Sequence, residues 1–155
     1  MRLPLTFTAL MLGAATPALS QSVQGVWKLS EVVISGGANS GHHTTDVQPG
    51  LLIFTKRHYS LVYVDGFTAR PEWSNSNPTP EELAKVWTPF TANAGTYEIK
   101  DSTLSCTPSV AKNPSVMAGT PITARFRIKA DSVWFTFPGS DNSETRAKWV
   151  RVERS

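Results

Sequence analysis

Several features that narrow function are scarce in this chain of 155 residues. It has one cysteine, Cys106, so no internal disulfide can form and the fold must hold by core packing. Beyond the N-terminal stretch, nothing is long and apolar enough to span a bilayer. Charge is thin: 15 basic against 12 acidic residues give a formal +3, too weak to argue by itself for nucleic acid or an anionic membrane. There are no internal repeats or low-complexity tracts. No nucleophile elbow, phosphate loop or zinc motif is legible, and no cofactor is implied. What the chain does have is aromatic bulk: five Trp, seven Phe and three Tyr, enough for a core or an apolar pocket.

The first residues read as a leader. Met1-Arg2 is a short basic start, residues 3–15 are mostly apolar, and Ala18-Leu19-Ser20 offers the small residues that a signal peptidase reads. The pattern predicts a signal peptide over residues 1–20, with cleavage before Gln21, and a secreted or periplasmic location. Residues 21–155 are then one domain of 135 residues. Without Arg2 that domain carries 14 basic and 12 acidic residues, a formal +2.

Short segments of period two, separated by turn residues, dominate this domain. They predict strands over residues 26–34, 51–55, 59–64, 95–100, 103–107, 122–130, 133–137 and 145–153. One helix is predicted: Thr79 as N-cap, Pro80 in the first turn, Glu81 and Glu82 after it, then Leu83, Val86, Trp87 and Phe90 at helical spacing, stopped near Pro89. Roughly eight strands in hairpin-like succession suit an up-and-down barrel, whose closure removes the exposed edges of a sandwich. A Trp stands in the first strand and an Arg in the last. Trp27 and Arg151 would meet if those strands pair, stacking as cation over ring, with Gly25 admitting the close backbone approach.

The stretches that carry this pattern are "GVWKLSEVV" and "KWVRVE" at the two ends. Between them come "GLLIFTKRHYSLVYVDG", "RPEW", "TPEELAKVW", "AGTYEIKDSTLSC", "NPSVMAGT" and "ARFRIKADSVWFTF". In this order they resemble the bacterial lipocalin-like domain family, a calycin-type β-barrel, over nearly all of residues 21–155. The resemblance implies an all-β fold: a single up-and-down lipocalin-like barrel of about eight antiparallel strands, with one short helix near its mouth. It implies a pocket more than a defined reaction. One departure is Cys106, where the family often carries His or another polar residue.

Alternation assigns Leu29, Val33, Tyr63, Tyr97, Ile99, Phe126 and Phe135 to the interior, with Glu31 on the inward face of the first strand. Trp87 and Phe90 are expected to cover the mouth. A buried carboxylate at Glu31 would orient a polar ligand head or act as acid and base, unless a β-bulge turns it outward. If the protein were an enzyme, Glu31, Tyr63, Glu72 and His42 would be the residues to examine; Trp73 shares the loop of Glu72. His42 and His43, in "SGHHTTD", fail as a metal pair, because adjacent residues of an extended chain point apart and no third ligand stands at a recognised spacing. They are expected to be exposed on a loop. Cys106 has no local base and reads as small core, not as a nucleophile. Arg125, Arg127 and Lys129, with Lys148, read as a solvated strand face with no stacking aromatic among them, so no nucleic-acid partner is expected.

The leading expectation is an exported barrel that binds one small, mostly apolar molecule on Leu29, Glu31, Val33, Tyr63, Trp87, Phe90, Tyr97, Phe126 and Phe135, and is not an enzyme. The alternatives are an isomerase or cyclase on the same scaffold using an interior acid, or a filled barrel acting as an interaction module. The sequence leaves the oligomeric state open.

Overall fold

The computed structural model describes residues 22–72 and 76–154 of the chain. The predicted leader and Trp73 lie outside the described residues. In chain order the elements are β1 (Gly25–Ser35), β2 (His43–Thr44), β3 (Gly50–Phe54), β4 (His58–Val64), α1 (Pro80–Trp87), β5 (Phe90–Lys100), β6 (Thr103–Ala111), a 3-10 turn (Pro114–Met117), β7 (Ile122–Lys129), β8 (Ser132–Pro138) and β9 (Glu144–Glu153).

From β3 to β9 each strand pairs antiparallel with the next, and β1 pairs with both β3 and β9. The eight strands β1 and β3–β9 therefore close into the expected up-and-down barrel. The two-residue β2 lies along the second half of β1, pairing Val32 with Thr44 and Val33 with His43, inside a loop expected to have no strand. Two strands run further than alternation predicts. β5 begins at Phe90, because residues 90–94 continue the ladder with β4, and β6 runs on to Ala111 opposite Asn93.

The seal at the base is the expected one. Trp27 stands opposite Arg151 in the β1–β9 register and is fully buried. The guanidinium carbon of Arg151 lies 3.9 Å from the centroid of the Trp27 ring. Its two terminal nitrogens donate to the backbone carbonyls of Gln24 and Ser22, the latter at 2.9 Å. The Trp27 indole N–H donates to the Val23 carbonyl at 2.7 Å. One side chain thus ties the residues before β1 to the last strand.

One irregularity changes what faces the interior. Leu29 pairs with Trp149 but Glu31 with Lys148, so Ser30 is an extra residue in β1, a β-bulge. Its hydroxyl donates to the Lys148 carbonyl at 3.2 Å. Paired residues share a face of the sheet. Before the bulge Trp27 and Leu29 point inward. After it the inward positions are Val32, opposite the buried Ala147, and Ile34, while Glu31 and Val33 turn outward.

The helix starts as predicted. Thr79 accepts a hydrogen bond from the Glu82 amide at 3.2 Å, and the Glu82 carboxylate accepts from the Thr79 amide at 2.8 Å, a complete capping box. No residue of α1 is buried.

Candidate functional site

The barrel interior divides into two halves. Toward the base, Trp27, Phe54, Val133 and Phe135 are at most 1% exposed. Aromatic rings fill the space: Phe54 meets the edge of Tyr97 at 4.9 Å between centroids and Phe135 at 6.1 Å, and Phe135 meets Phe126 at 6.3 Å. Leu29 and Phe135, both expected on a pocket wall, belong to this packed core, and Tyr97 and Phe126, expected there too, are partly buried against it. The tyrosine is anchored there by its hydroxyl, which donates to the Thr55 carbonyl at 2.8 Å. Ile99 shares the inward alternation of β5 but lies near its exposed end.

Toward the opposite end the same inward rows continue, with a different wall. Val32, Leu61, Ile122 and Phe137 pack against the core yet are only partly buried. Tyr63 follows Leu61 on the inward row of β4, opposite Thr91. Burial raises its phenol above the ordinary value, a hydrogen bond with Thr91 partly offsets this, and the charge of Asp65 adds to the rise. Between the two halves the buried Tyr59 hydroxyl donates to the Asn93 side-chain oxygen at 2.7 Å. The wall is therefore apolar, with hydroxyl and amide groups at two places. Gly50 lets Leu29, Tyr63 and the indole of Trp149 pack closely over its backbone: a Cβ there would meet Leu29 at 3.0 Å, Tyr63 at 3.1 Å and Trp149 at 3.3 Å.

Two loops meet beside this end. His42 lies opposite Ile34, whose amide donates to the His42 carbonyl at 2.8 Å, so its side chain shares the inward parity. Its ring stacks on Phe67, from the loop after β4, at 3.6 Å between centroids. His42 is therefore not the exposed loop residue expected: its Nε2 is buried and finds no hydrogen-bond partner among the described residues. His43 is the exposed member of the pair.

The four residues singled out for catalysis are not brought together. Tyr63 and His42 face inward near the end opposite the Trp27 seal. Glu31 is on the outside of the barrel, where its carboxylate lies 3.1 Å from His43 Nε2 and 4.0 Å from Lys148 Nζ. Glu72 is exposed in the loop after β4. The expectation of an interior acid is thus corrected by the bulge at Ser30, and among the described residues no acidic residue is buried. The same bulge removes Val33 from the interior.

The proposed cover is corrected as well. Phe90 is the first residue of β5, not the end of the helix, and shares with its partner Val64 the parity opposite to Tyr63 and Thr91. Trp87 packs on Phe90 at 6.1 Å between centroids but is 58% exposed. Lys112 holds it from outside, donating to the carbonyls of Trp87 and Thr88 with its ammonium 5.2 Å from the Trp87 ring centroid.

Cys106 sits on the inward row of β6, opposite Tyr97. Burial pushes its thiol up to about 12, so it stays protonated at neutral pH and packs as a small apolar residue.

Sequence reasoning missed several wall residues. Leu61 and Ile122 carry a signal, since each stands in the same alternating row as an expected interior residue, Tyr63 and Phe126. Asn93 carries none, because its strand reads as starting at Gly95.

No known protein family matches the chain, and no curated protein does. Among solved structures a redesigned β-barrel is similar: 11% identical, covering 83% of this chain and 90% of that one, at a TM-score of 0.42. The architecture is an eight-stranded antiparallel barrel with one helix near one end.

Proposed function

We propose that this protein is an exported, bacterial lipocalin-like barrel that binds one small, mostly apolar molecule in the open half of its interior. The observation that carries this reading is the contrast along the inward rows. At the base Trp27, Phe54, Val133 and Phe135 are sealed from solvent, whereas Val32, Leu61, Ile122 and Phe137 are only partly buried. A partly bare apolar wall inside a barrel of eight strands is where one small ligand is held. Each 100 Å² of ligand surface covered there contributes about 2.5 kcal/mol. Tyr63 and Asn93 supply polar groups that orient a ligand head. The basic start, apolar run and small residues at 18–20 support export. Glu31, the interior acid that an isomerase or cyclase on this scaffold would have used, lies on the outer wall.

Native mass spectrometry of the protein purified from its own source tests the reading. A bound lipid-like species at one per chain is expected, lost in the Leu61→Trp/Ile122→Trp variant, whose indoles occupy the open half. A species retained in that variant, with folding intact, overturns it.

A further inference from the structure

A second surface of the barrel has the makings of a site, on the outside of β7, β8 and β9. The register sets two rows across these strands: Arg125, Thr136 and Arg146 in one, Arg127, Trp134 and Lys148 in the other. Four cations therefore stand at the corners of a frame, with a hydroxyl and an indole between them. Strand geometry makes the frame about 7 Å long and about 10 Å wide. An open depression of about 440 Å³ lies over it, lined by Arg125, Arg127, Trp134, Thr136, Glu144 and Arg146 among others.

Charge is concentrated here. With Lys129 the face holds five cations, against the carboxylates of Glu144 and of Glu31 at its border. The surplus of three equals the net charge of the whole chain. Glu144 occupies Arg125 at 2.7 Å, and Glu31 lies 4.0 Å from Lys148. Neither Arg127 nor Arg146 forms an ion pair with another described residue. Arg127 is instead held over the Trp134 ring at 4.4 Å from its centroid, with Lys148 at 5.7 Å. The sequence reading of a basic stripe without an aromatic is corrected by this pairing, because Trp134 belongs to the neighbouring strand.

We propose that this frame binds an acidic polysaccharide, whose successive carboxylates or sulfates seat on Arg127 and Arg146 while a sugar ring lies across Thr136. Guanidinium forks match such planar oxyanions, and stacking on the indole pre-orients Arg127. Nucleic acid fits less well: two cations already sit over the indole that a base would stack on. An anionic bilayer fits less well too, because no large exposed apolar side chain stands within the frame. The site is on the outer wall and does not depend on what the barrel holds.

The test is equilibrium binding of the whole protein to polygalacturonate and to dextran sulfate at near-physiological salt. Single-stranded DNA and phosphatidylglycerol vesicles are run beside them. Saturable binding to at least one polysaccharide is expected, weakening as salt rises. Arg127→Gln/Arg146→Gln should weaken it at least ten-fold at an unchanged melting temperature, and Lys56→Gln should leave it alone. Should the double variant melt early, Arg146→Gln decides, since Arg146 has no ion pair with another described residue to lose. The proposal fails if neither polysaccharide binds, if the arginine variants bind as the wild type does, or if DNA or vesicles bind as tightly as the polysaccharides.

Discussion

Gly25 approaches the carbonyl of Glu153 so closely that a Cβ on Gly25 would lie 2.4 Å from that oxygen. Its φ of +125° is also one that residues with side chains rarely adopt. These two residues mark the place where first and last strands join. Gly25→Ala must therefore open the β1–β9 seam or strain it. A loss of about 1–3 kcal/mol is expected, read as an earlier midpoint in urea unfolding.

Arg151→Lys keeps the charge but loses the planar fork. An ammonium cannot reach both the Gln24 and Ser22 carbonyls while lying flat on Trp27. The substitution should cost about 2–3 kcal/mol. Trp27→Ala, which empties the base of the barrel, should cost about 3–5 kcal/mol. Both are measured by chemical denaturation, and near-neutral values would mean that the plug does not hold the barrel closed.

Glu31→Gln tests the bulge. A carboxylate on the outer wall, paired at the surface with His43, contributes at most about 1 kcal/mol. Stability and affinity for an apolar probe should both stay close to wild type. A large change in affinity would place Glu31 inside after all.

Cys106 predicts weakness in alkali. Its thiol is held up to about 12 in the fold, against 9.0 for the ordinary group. The unfolded chain therefore gives up this proton first. The stabilisation is complete below pH 9 and is lost as pH rises toward 12, by up to about 4 kcal/mol. Tyr59 and Tyr97, whose phenols burial also raises, add to the same trend. In Cys106→Ala the gap between urea midpoints at pH 8 and pH 10.5 should narrow. An unchanged gap would contradict the assignment.

Alternation made the strands and their order legible, because one face of each is covered by the core and the other by solvent. The cap at Thr79 was legible because its partners lie three residues away in the chain. Partner-dependent features were not. The bulge at Ser30 exists only against β9, and nothing local to "KLSEVV" marks it, so Glu31 and Val33 read as inward. The apolar stripe of α1 announces an amphipathic helix but not what that stripe meets, and Trp87 meets Lys112 and Phe90 outside the barrel. Likewise Arg127 and Trp134 are seven residues apart in the chain, and only the β7–β8 register puts one over the other.

Uptake of a small molecule by the half-bare apolar wall around Leu61 and Ile122 underlies the proposed function. Titration with an apolar fluorescent probe tests it most directly. Saturation at one probe per chain is expected in the wild type and in Arg127→Gln/Arg146→Gln, and no saturation in Leu61→Trp/Ile122→Trp. Equal binding by the tryptophan variant, or no saturation by any of the three, would contradict it.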